Sequence, residues 1–537
     1  MRLSTEVDPT KLRGGFYTPE SVVRFCVELV RKSAGHSRVR VLEPSAGDGA
    51  FVRGFAADML ASDIDLTAVE IIPEEASKCM SALSQSGMSG RVVNASFFDW
   101  AASQEDTFEA VVGNPPFVRY QFVSPADRRA AEACLARRGL ELDGVSNLWI
   151  PFVLESLSLV AKGGRFAFVL PHELLATVSA EQVRRFLVAE FRELRIDIFP
   201  RDTFADILQD VLVVSGTRRA SPTSASRIDF VQHGSKRPKR WSHSVELGAR
   251  SWTRFLLAQS ELEAFAIASD LAGFKPLGEV ARIQVSIVTG ANSYFTVNRG
   301  TVDQYELGEW ARPLLARSED ASGLVVSVGD HKAAEADGKR TWLLDFNSAS
   351  PDPMQFDGPR EYLGQGVNAG IDQRYKCRIR KPWFRIPHVA SGSLLMSKRS
   401  HQHHRLLLNP ERFLTTDTIY RGEMLPRFAG RERDLVAGFH NSLTLLAAEI
   451  EGRTYGGGVL EMVPSEISWL SVPMFGSIGH LEVLDLLSRE SGGQKDVSET
   501  LVDATDDLLS DTIRDYPDLV PLLRSARQRL LARRLDR

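Results

Sequence analysis

An asparagine, two prolines and an aromatic residue end an apolar run in the stretch FEAVVGNPPFVRY, residues 108–120. Proline has no N–H to give to a β-ladder, so the pair indicates that a strand stops here. The amide of Asn114 and the neighbouring carbonyl groups can accept hydrogen bonds, and Phe117 offers a flat apolar face. This combination suits a pocket that holds a planar base by its amino group. The alternative is an ordinary loop after a strand.

A second polar segment, VLEPSAGDGAF at residues 41–51, follows another short apolar run. Gly47 and Gly49 permit a tight turn beside a ligand, where a Cβ atom would collide. Glu70 ends the next predicted strand, where a carboxylate can accept hydrogen bonds from ribose hydroxyls. Asp99 in ASFFDW, interpreted as the end of a third strand, could accept from an adenine amino group. The loop lacks the lysine of a triphosphate site, so these features indicate a nucleoside cofactor without phosphates, such as S-adenosylmethionine. An ordinary turn between a strand and a helix is the alternative.

Alternating strand-like and helix-like segments over residues 1–216 must position these side chains. Helical spacing in ESVVRFCVELVRKS, FVRGFAADML and LWIPFVLESLSLV separates short apolar runs such as VRVLEP, DLTAVEI and GGRFAFVLP. This alternation predicts βαβ units and an α/β fold, with a parallel sheet that carries helices on both faces. Ligands of such sheets bind at the carboxyl ends of the strands, where both polar segments fall.

The regular alternation stops near residue 216, where the sequence becomes small, polar and basic. Such composition is typical of a linker or hinge. We therefore predict a first domain over residues 1–216 and a linker over 217–240. Shorter strand-like runs and turn-rich stretches predict a second domain of mixed α+β type over 241–490, and a helical C-terminal segment over 491–537.

A strongly basic stretch, residues 374–405, contains nine Lys or Arg residues, four His and no acidic residue. Its cations alternate with Tyr375, Trp383 and Phe384, a pattern that favours contact with a nucleic-acid backbone over a merely solvated face. The candidate DNA- or RNA-binding residues are Arg374, Lys376, Arg378, Arg380, Lys381 and Arg385. The histidines at positions 401, 403 and 404 have no acidic or cysteine partner nearby, so a solvated basic loop is favoured over a metal site.

Composition points to a globular protein, with 43% hydrophobic and 25% charged residues among 537. The four cysteines are scattered without a CxxC pair, which argues against a zinc site or a disulfide framework and fits a reducing compartment. No apolar run reaches the roughly 18 residues of a membrane-spanning helix, and the N-terminus lacks a signal-peptide core. We expect a soluble cytoplasmic protein with no metal and no membrane contact.

The motifs FYTPESVV, VLEPSAGDGAF, VEI, FFDW, GNPPF and SNLWIPFVLESLSLVAKGGRFAFVLP occur in one fixed order. This order resembles the TaqI-like, gamma-class DNA adenine-N6 methyltransferases of restriction–modification systems. The resemblance covers residues 14–216 and is fainter over 280–475. Two departures from the family pattern are the loop Ala46-Gly47-Asp48-Gly49 and Phe117, where tyrosine is commoner. Both keep the groups that the chemistry needs, because the loop retains its glycines and phenylalanine stacks as tyrosine does.

This resemblance implies a Rossmann-like class I methyltransferase sheet followed by a DNA target-recognition domain. It also implies S-adenosyl-L-methionine as cofactor and double-stranded DNA as substrate. Carried over to this sequence, the cofactor-binding residues are Tyr17, Thr18, Pro19, Glu43, Ala46, Gly47, Gly49, Glu70, Ile71, Phe98, Asp99, Asn114 and Phe152. The catalytic corner comprises Asn114, Pro115, Pro116 and Phe117. The target base would stack between Phe117 and Phe204, with Phe199 as a competitor for the second position.

In this interpretation the Asn114 oxygen and the Pro115 carbonyl each accept one N–H of an adenine amino group, on backbone that the prolines fix in advance. The base must leave the duplex, because its amino group is inaccessible there. RNA adenine methylation, protein-glutamine N-methylation by the same corner, and a non-catalytic DNA-binding module remain as alternatives. We expect a monomer, and the sequence leaves open whether a cognate restriction endonuclease accompanies it.

Overall fold

The computed structural model describes residues 18–31, 38–57, 63–142, 144, 147–200, 211–234, 237–271, 273–347, 351–455, 457–474, 480–490 and 498–535. The chain forms two compact units that divide between Ala258 and Gln259.

The first unit contains one nine-stranded sheet with the order β3-β2-β1-β4-β5-β7-β6-β8-β9. Its strands are β1 Val39–Glu43, β2 Ile64–Glu70, β3 Ser89–Asn94, β4 Phe108–Gly113, β5 Val160–Pro171, β6 Phe191–Ile198, β7 Val211–Arg218, β8 Ala225–Gln232 and β9 Lys239–Glu246. The strands from β1 to β5 pair in parallel, and β7 runs antiparallel to both β5 and β6. Almost every residue of β2 and β4 is buried, as expected for strands that are covered on both faces.

Helices cover both faces of this sheet. They are α1 Glu20–Arg31, α2 Ala50–Ala56, α3 Pro73–Ser86, α4 Phe97–Ala101, α5 Pro125–Ala136, α6 Trp149–Ser158, α7 Glu173–Ala176 and α8 Glu181–Glu190. From β1 the chain builds outward to β2 and β3, then returns past β1 to β4 and β5. Because crossovers between parallel strands are right-handed, this reversal puts α2 and α3 on one face and α4 to α6 on the other. The packing of α2 against α3, and of α5 against α4 and α6, agrees, so the predicted α/β fold is confirmed.

Two helices beside the site show why the sequence folds this way locally. Helix α3 starts with Pro73 in its first turn, where the missing N–H costs nothing, and ends at Gly87 with φ of 72°. All ten residues of helix α6 are buried, and all are apolar except Glu155, Ser156 and Ser158. Phe152 is therefore held in the interior, next to the sheet edge that carries the predicted site.

The expected linker over residues 217–240 is wrong, because these residues contain β8 and parts of β7 and β9. Ile228 and Phe230 of β8 are fully buried, while Arg227 and Asp229 are exposed. Such alternation is typical of a strand with one covered face, and the exposed polar residues gave the segment the composition of a linker. The first unit extends instead to Ala258.

The second unit has several small sheets, as the short strand-like runs predict. Its strands are β10 Phe274–Pro276, β11 Ala281–Gln284, β12 Thr296–Val297, β13 Ala311–Pro313, β14 Trp342–Leu344, β15 Leu394–Ser397, β16 Arg399–Ser400, β17 Leu406–Leu408, β18 Ile419–Met424, β19 Arg453–Tyr455, β20 Val459–Glu461 and β21 Ser471–Pro473. The largest of these sheets has four strands in the order β11-β18-β15-β17.

The helices of the second unit pack around these sheets. They are α9 Gln259–Asp270, α10 Asn292–Phe295, α11 Arg299–Gln304, α12 Val328–Ala336, α13 Asp357–Asn368, α14 Tyr375–Arg378, α15 Glu432–Phe439, α16 Ser442–Glu451, α17 Pro464–Ile467, α18 Leu481–Glu490, α19 Glu499–Thr512 and α20 Leu519–Leu535. None of the helices in the described ranges is long and apolar enough to cross a membrane.

The C-terminal segment is helical as predicted, but it belongs to the second unit and is not separate from it. Helix α20 packs on α16 and α9. The guanidinium of Arg534 meets the Glu449 carboxylate through Nε–Oε2 and Nη2–Oε1 contacts of 2.9 Å and 2.6 Å, and both side chains are only 3% exposed. Arg527, also buried, pairs with Glu499. The basic C-terminus therefore uses these two cations to anchor itself.

Arg534→Ala should strongly destabilise the second unit, because it leaves the Glu449 carboxylate buried without its main cation. Removing one partner of a buried pair typically costs about 3–5 kcal/mol. The free energy of unfolding from guanidinium titration measures the loss. Arg433→Ala, which removes an exposed partner of Glu482, is the control and should cost about 0–1 kcal/mol. Equal losses in the two variants would contradict an anchoring role for Arg534.

Candidate active site

Three polar chain segments meet at one edge of the first unit's sheet. In the parallel register Glu43 lies beside Ala68, and Leu42 lies beside Val111. The carboxyl ends of β1, β2 and β4 are therefore level with each other. The glycine loop after β1, Glu70 at the end of β2, and the corner that starts at Asn114 after β4 all begin at this edge.

The glycine loop makes a tight turn that only glycine accommodates well. Gly47 and Gly49 have φ angles of 52° and 85°, in the left-handed region. A Cβ atom on Gly49 would lie 3.1 Å from the Cα of Cys79 on α3, so the loop and helix approach closely. The Ala46 N–H donates to the Val69 carbonyl at 3.0 Å, which ties the loop to the end of β2.

Glu70 is held at the sheet edge by main-chain donors. Its Oε2 accepts from the Gly47 N–H and its Oε1 from the Ile72 N–H, each at 2.8 Å. Each carboxylate oxygen has a further lone pair, so the group can still accept from ribose hydroxyls. The neighbouring Ile71 side chain is 58% exposed. Glu70 therefore has the position and the fixed orientation of a ribose acceptor.

Glu43 is the most deeply buried acid of this edge, with 1% of its surface exposed. Burial, reinforced by the negative charges of Glu70 and Asp48 and opposed by Arg53, raises the pKa of Glu43 well above its ordinary value. Its Oε2 has no hydrogen-bond partner among the described residues. A protonated Glu43 can donate as well as accept a hydrogen bond, so this side chain could bind a polar ligand.

Three phenylalanines form an apolar wall beside these acids. The Phe152 ring lies 4.5 Å from the Phe97 centroid and 5.9 Å from the Phe98 centroid, and all three side chains are at most 5% exposed. Asp99 is exposed in the first turn of α4. The structure thus brings Phe98 and Phe152, two of the predicted cofactor-binding residues, together.

The placement of Asp99 at a strand end is wrong, because β3 ends at Asn94. The Ala95 N–H and the Asn94 side chain both donate to the Glu70 carbonyl, at 3.1 Å and 2.8 Å, and end the strand. Ser96 then precedes the first turn of α4. The apolar residues of FFDW form the buried face of a short helix. Over so few residues a buried helix and a buried strand have similar sequence patterns.

The corner after β4 is fixed from two sides. The Asn114 Nδ2 donates to the Thr18 Oγ1 at 3.2 Å, so Oδ1 is the acceptor end of that amide. The Ser45 hydroxyl donates to the Asn114 carbonyl at 3.0 Å. Pro115 is buried and Phe117 is 9% exposed. The sequence interpretation missed Ser45, although its position directly after β1, the neighbour of β4, was a usable signal.

Two predicted residues, Tyr17 and Phe204, lie outside the described residues. Phe199, the competitor of Phe204, is described and packs within an aromatic cluster. Its ring stacks on His233 with 4.4 Å between centroids and an angle of 3°, and meets the edge of Phe25 at 5.4 Å. Phe199 is therefore a packed side chain next to β6. The second residue that stacks on the target base remains a prediction.

The basic stretch of the second unit divides into an exposed part and a buried part. Arg374, Lys376 and Arg378 are exposed on and beside α14, and Lys381 and Arg385 are exposed after it. Tyr375 and Ile379 on the same turn are 66% and 62% exposed. These residues form one surface on which cations and apolar side chains alternate.

Arg380 differs from its neighbours because it holds the fold together. Its guanidinium donates to the carbonyls of Thr289 at 2.8 Å and Val288 at 2.9 Å. Burial lowers the pKa of Arg380, although the group stays well within its charged range. Its interactions therefore anchor α14 to the loop at residues 288–289.

The expectation of a solvated loop at His401, His403 and His404 is wrong for the last two, which are buried, whereas His401 is exposed. His403 contacts Arg527 at 2.8 Å and Glu499 at 3.3 Å. Burial lowers the pKa of His404 to about 4. These partners lie far along the chain, so the local sequence gives no sign of them. Within the described residues no group of three His, Cys, Asp or Glu side chains is arranged to hold a metal ion.

Comparisons with known proteins match two parts of the chain to two related family models. Residues 65–204 match the family model "Eco57I restriction-modification methylase". Residues 249–509 match the model for the C-terminal domain of the type II methyltransferase M.Eco57I. The second match begins close to the boundary between the compact units.

Curated relatives match across most of the chain. The type II methyltransferase M.AccI of Acinetobacter calcoaceticus is 20% identical over 87% of this chain and 86% of its own length. M.XamI of Xanthomonas campestris pv. amaranthicola is 24% identical over 86% and 85%, respectively. Among solved structures, the type IIL restriction–modification enzyme MmeI in complex with DNA has a TM-score of 0.59 at 11% identity, over 99% of this chain and 77% of that one. At this identity the likeness to MmeI concerns the fold alone.

Glu43→Gln should gain stability relative to the wild type as pH rises from about 5 to about 8. The raised pKa means that the folded protein holds the Glu43 proton more tightly than the unfolded chain does. Wild-type stability therefore falls as pH rises above the ordinary carboxyl range, while glutamine does not ionise. Melting temperatures over this range measure the gap, with the exposed Glu20→Gln as control. A difference in melting temperature between Glu43→Gln and the wild type that shrinks with rising pH would contradict the raised pKa of Glu43.

Proposed function

We propose that this chain is a type II restriction–modification methyltransferase that transfers a methyl group from S-adenosylmethionine to N6 of a flipped-out adenine in double-stranded DNA. The two family models and the two long relatives support this proposal. The observation that carries the proposal is the Asn114-Pro115-Pro116-Phe117 corner, held level with the glycine loop and Glu70 at one sheet edge. The first unit would catalyse the reaction and the second would recognise the target. We expect a cytoplasmic monomer, and a cognate restriction endonuclease is the protein partner that the family suggests.

The residues at this edge fit S-adenosylmethionine, which supplies a sulfonium methyl group when bound. Glu70 would hold the ribose through its remaining lone pairs, and Phe98, Asp99 and Phe152 would receive the adenine. The buried Oε2 of Glu43, which has no hydrogen-bond partner in the described part of the chain, supports a polar ligand here. Further contacts of this kind would come from Thr18, Pro19, Ala46, Gly47, Gly49, Ile71 and Tyr17.

Methyl transfer to adenine requires the catalytic corner to align a weak nucleophile, the amino nitrogen of the base. The lone pair of an adenine amino nitrogen is delocalised into the ring. The Asn114 Oδ1 and the Pro115 carbonyl would accept the two N–H hydrogens and favour a pyramidal nitrogen. Pro115 and Pro116 fix their own φ angles, and Thr18 orients the Asn114 amide, so the acceptors are in place before the base arrives.

Phe117 would hold the base by stacking, a contact worth about 1–3 kcal/mol per base. No tuned general base is needed before attack, because the amino nitrogen reacts in its neutral form. The proton that the nitrogen loses after methyl transfer passes to solvent. Alignment rather than proton abstraction would carry the rate.

Sequencing modified bases in DNA tests the function. The protein would be expressed in a host that lacks adenine methylation, and genomic DNA would be sequenced for N6-methyladenine. We expect one adenine within one recurrent short motif to be modified. Unmodified DNA, or label from radioactive S-adenosylmethionine in RNA or protein instead, would contradict DNA adenine methylation and favour the corresponding alternative.

Asn114→Ala should lower the single-turnover methylation rate by about 10²–10³, because one preorganised contact at the reacting centre is lost. Its affinity for S-adenosylmethionine, measured by calorimetry, should change little. Glu70→Ala is the matched variant and should do the reverse, with weaker cofactor binding as the primary defect. Near-normal turnover in Asn114→Ala would exclude Asn114 from the mechanism.

The double variant Arg374→Ala with Arg378→Ala should bind DNA more weakly and with a flatter dependence on salt. The slope of the logarithm of the binding constant against the logarithm of salt concentration should become less steep, by an amount that corresponds to up to about two phosphate contacts. Arg514→Ala, which removes an exposed cation paired with Asp511, is the control. Filter-binding or anisotropy titrations at several salt concentrations measure the slope. An unchanged slope would show that the α14 surface does not touch the DNA backbone.

A further inference from the structure

An exposed phenylalanine follows the catalytic corner on the same chain segment. The chain leaves Phe117, passes Val118 and Arg119, and forms a single 3₁₀ turn over Tyr120–Phe122. The Phe122 side chain at the end of this turn is 65% exposed, whereas Val123 directly after it is buried. The proposed methyl-transfer chemistry does not use Phe122.

The turn that carries Phe122 is fixed by several contacts. The Phe122 N–H donates to the Arg119 carbonyl at 2.9 Å, and the Val123 N–H donates to the Tyr120 carbonyl at 3.1 Å. The guanidinium of Arg128 lies 5.3 Å from the Tyr120 ring centroid, and its Nε donates to the Val123 carbonyl at 3.1 Å. Arg128 therefore packs over the Tyr120 ring and Val123 is buried, while the Phe122 side chain is exposed.

Both ends of the turn connect to the main body of the first unit. Before it, the Leu148 N–H donates to the Val118 carbonyl at 2.8 Å. After it, the Ser124 hydroxyl accepts from the Asp127 N–H and caps α5. The position of Phe122 relative to the corner is consequently set by the backbone between them. The exposed Phe122 ring is therefore held where a molecule that approaches the corner can contact it.

We infer that Phe122 is a wedge that enters the DNA base stack beside the target adenine and supports its extruded position. The inference rests on the proposed function. When a base leaves the duplex, its neighbours lose a stacking partner, and apolar side chains such as phenylalanine insert between base steps in other DNA complexes. Arg119 is exposed at the start of the same turn and can contact a phosphate next to the insertion.

A wedge acts on the extrusion of the base and is a positioning residue. Its contribution should depend on how much extrusion costs, which is least for a base that is poorly paired. A residue that only stabilises the fold would contribute equally on every duplex. This difference separates the two roles.

The test compares Phe122→Ala with the wild type on two duplexes that carry the motif found by sequencing. In one, the target adenine pairs with thymine, and in the other it faces an abasic site. Phe122→Ala should slow single-turnover methylation on the paired duplex by about tenfold, as for the loss of one stacking contact. On the abasic duplex its rate should return to nearly that of the wild type. With 2-aminopurine at the target position, the rise in fluorescence on binding should be smaller in the variant.

Two further variants serve as controls. Phe122→Leu keeps an apolar wedge and should retain most of the activity on the paired duplex. Met80→Ala removes an apolar side chain that is 48% exposed on α3, and should behave as the wild type on both duplexes. Equal losses by Phe122→Ala on the two duplexes, or no loss on either, would overturn the wedge while leaving adenine methylation by the wild type intact. A wild-type enzyme that leaves adenine unmodified would overturn the proposed function itself.

Discussion

The parallel pairing of β1 with β2 on one side and β4 on the other is the constraint on which the site depends. Because the three strands end level with one another, the turns that follow them share one sheet edge. Short hydrogen bonds then join these turns: Gly47 to Glu70, and Ser45 to the carbonyl of Asn114. A shift of register in any of these strands would separate the glycine loop from the corner.

The polar side chains at this sheet edge are fixed in orientation, and burial changes the pKa of one of them. The prolines and the Thr18 contact hold the Asn114 amide in place, and burial raises the pKa of Glu43 well above its ordinary value. For a nucleophile that needs orientation more than deprotonation, such fixed acceptors lower the barrier without reorganising during the reaction. Phe122 would extend the same principle to the DNA, because its turn is as firmly held as the corner.

Much of the first unit could be predicted because its signals are local. Strand–helix alternation and the right-handed crossover locate Glu70 and Asn114 at one edge without any knowledge of contacts. Asp99 was misplaced because a short buried helix and a short strand look alike over a few residues. The burial of His403 could not be foreseen, since its partners Glu499 and Arg527 are almost a hundred residues or more away in the sequence. The pairing of Arg534 with Glu449 could not be predicted either, because the two residues are 85 positions apart. This pair buries part of the basic C-terminal helix.

The most direct measurement follows the methyl group itself. The enzyme would be incubated with S-adenosylmethionine that carries a deuterated methyl group and with duplex DNA that contains its motif, and the DNA would be digested to nucleosides for mass spectrometry. We expect the heavy methyl group in N6-methyldeoxyadenosine alone. Heavy methyl groups in N4-methyldeoxycytidine, or unlabelled duplex alongside labelled RNA or protein, would contradict it.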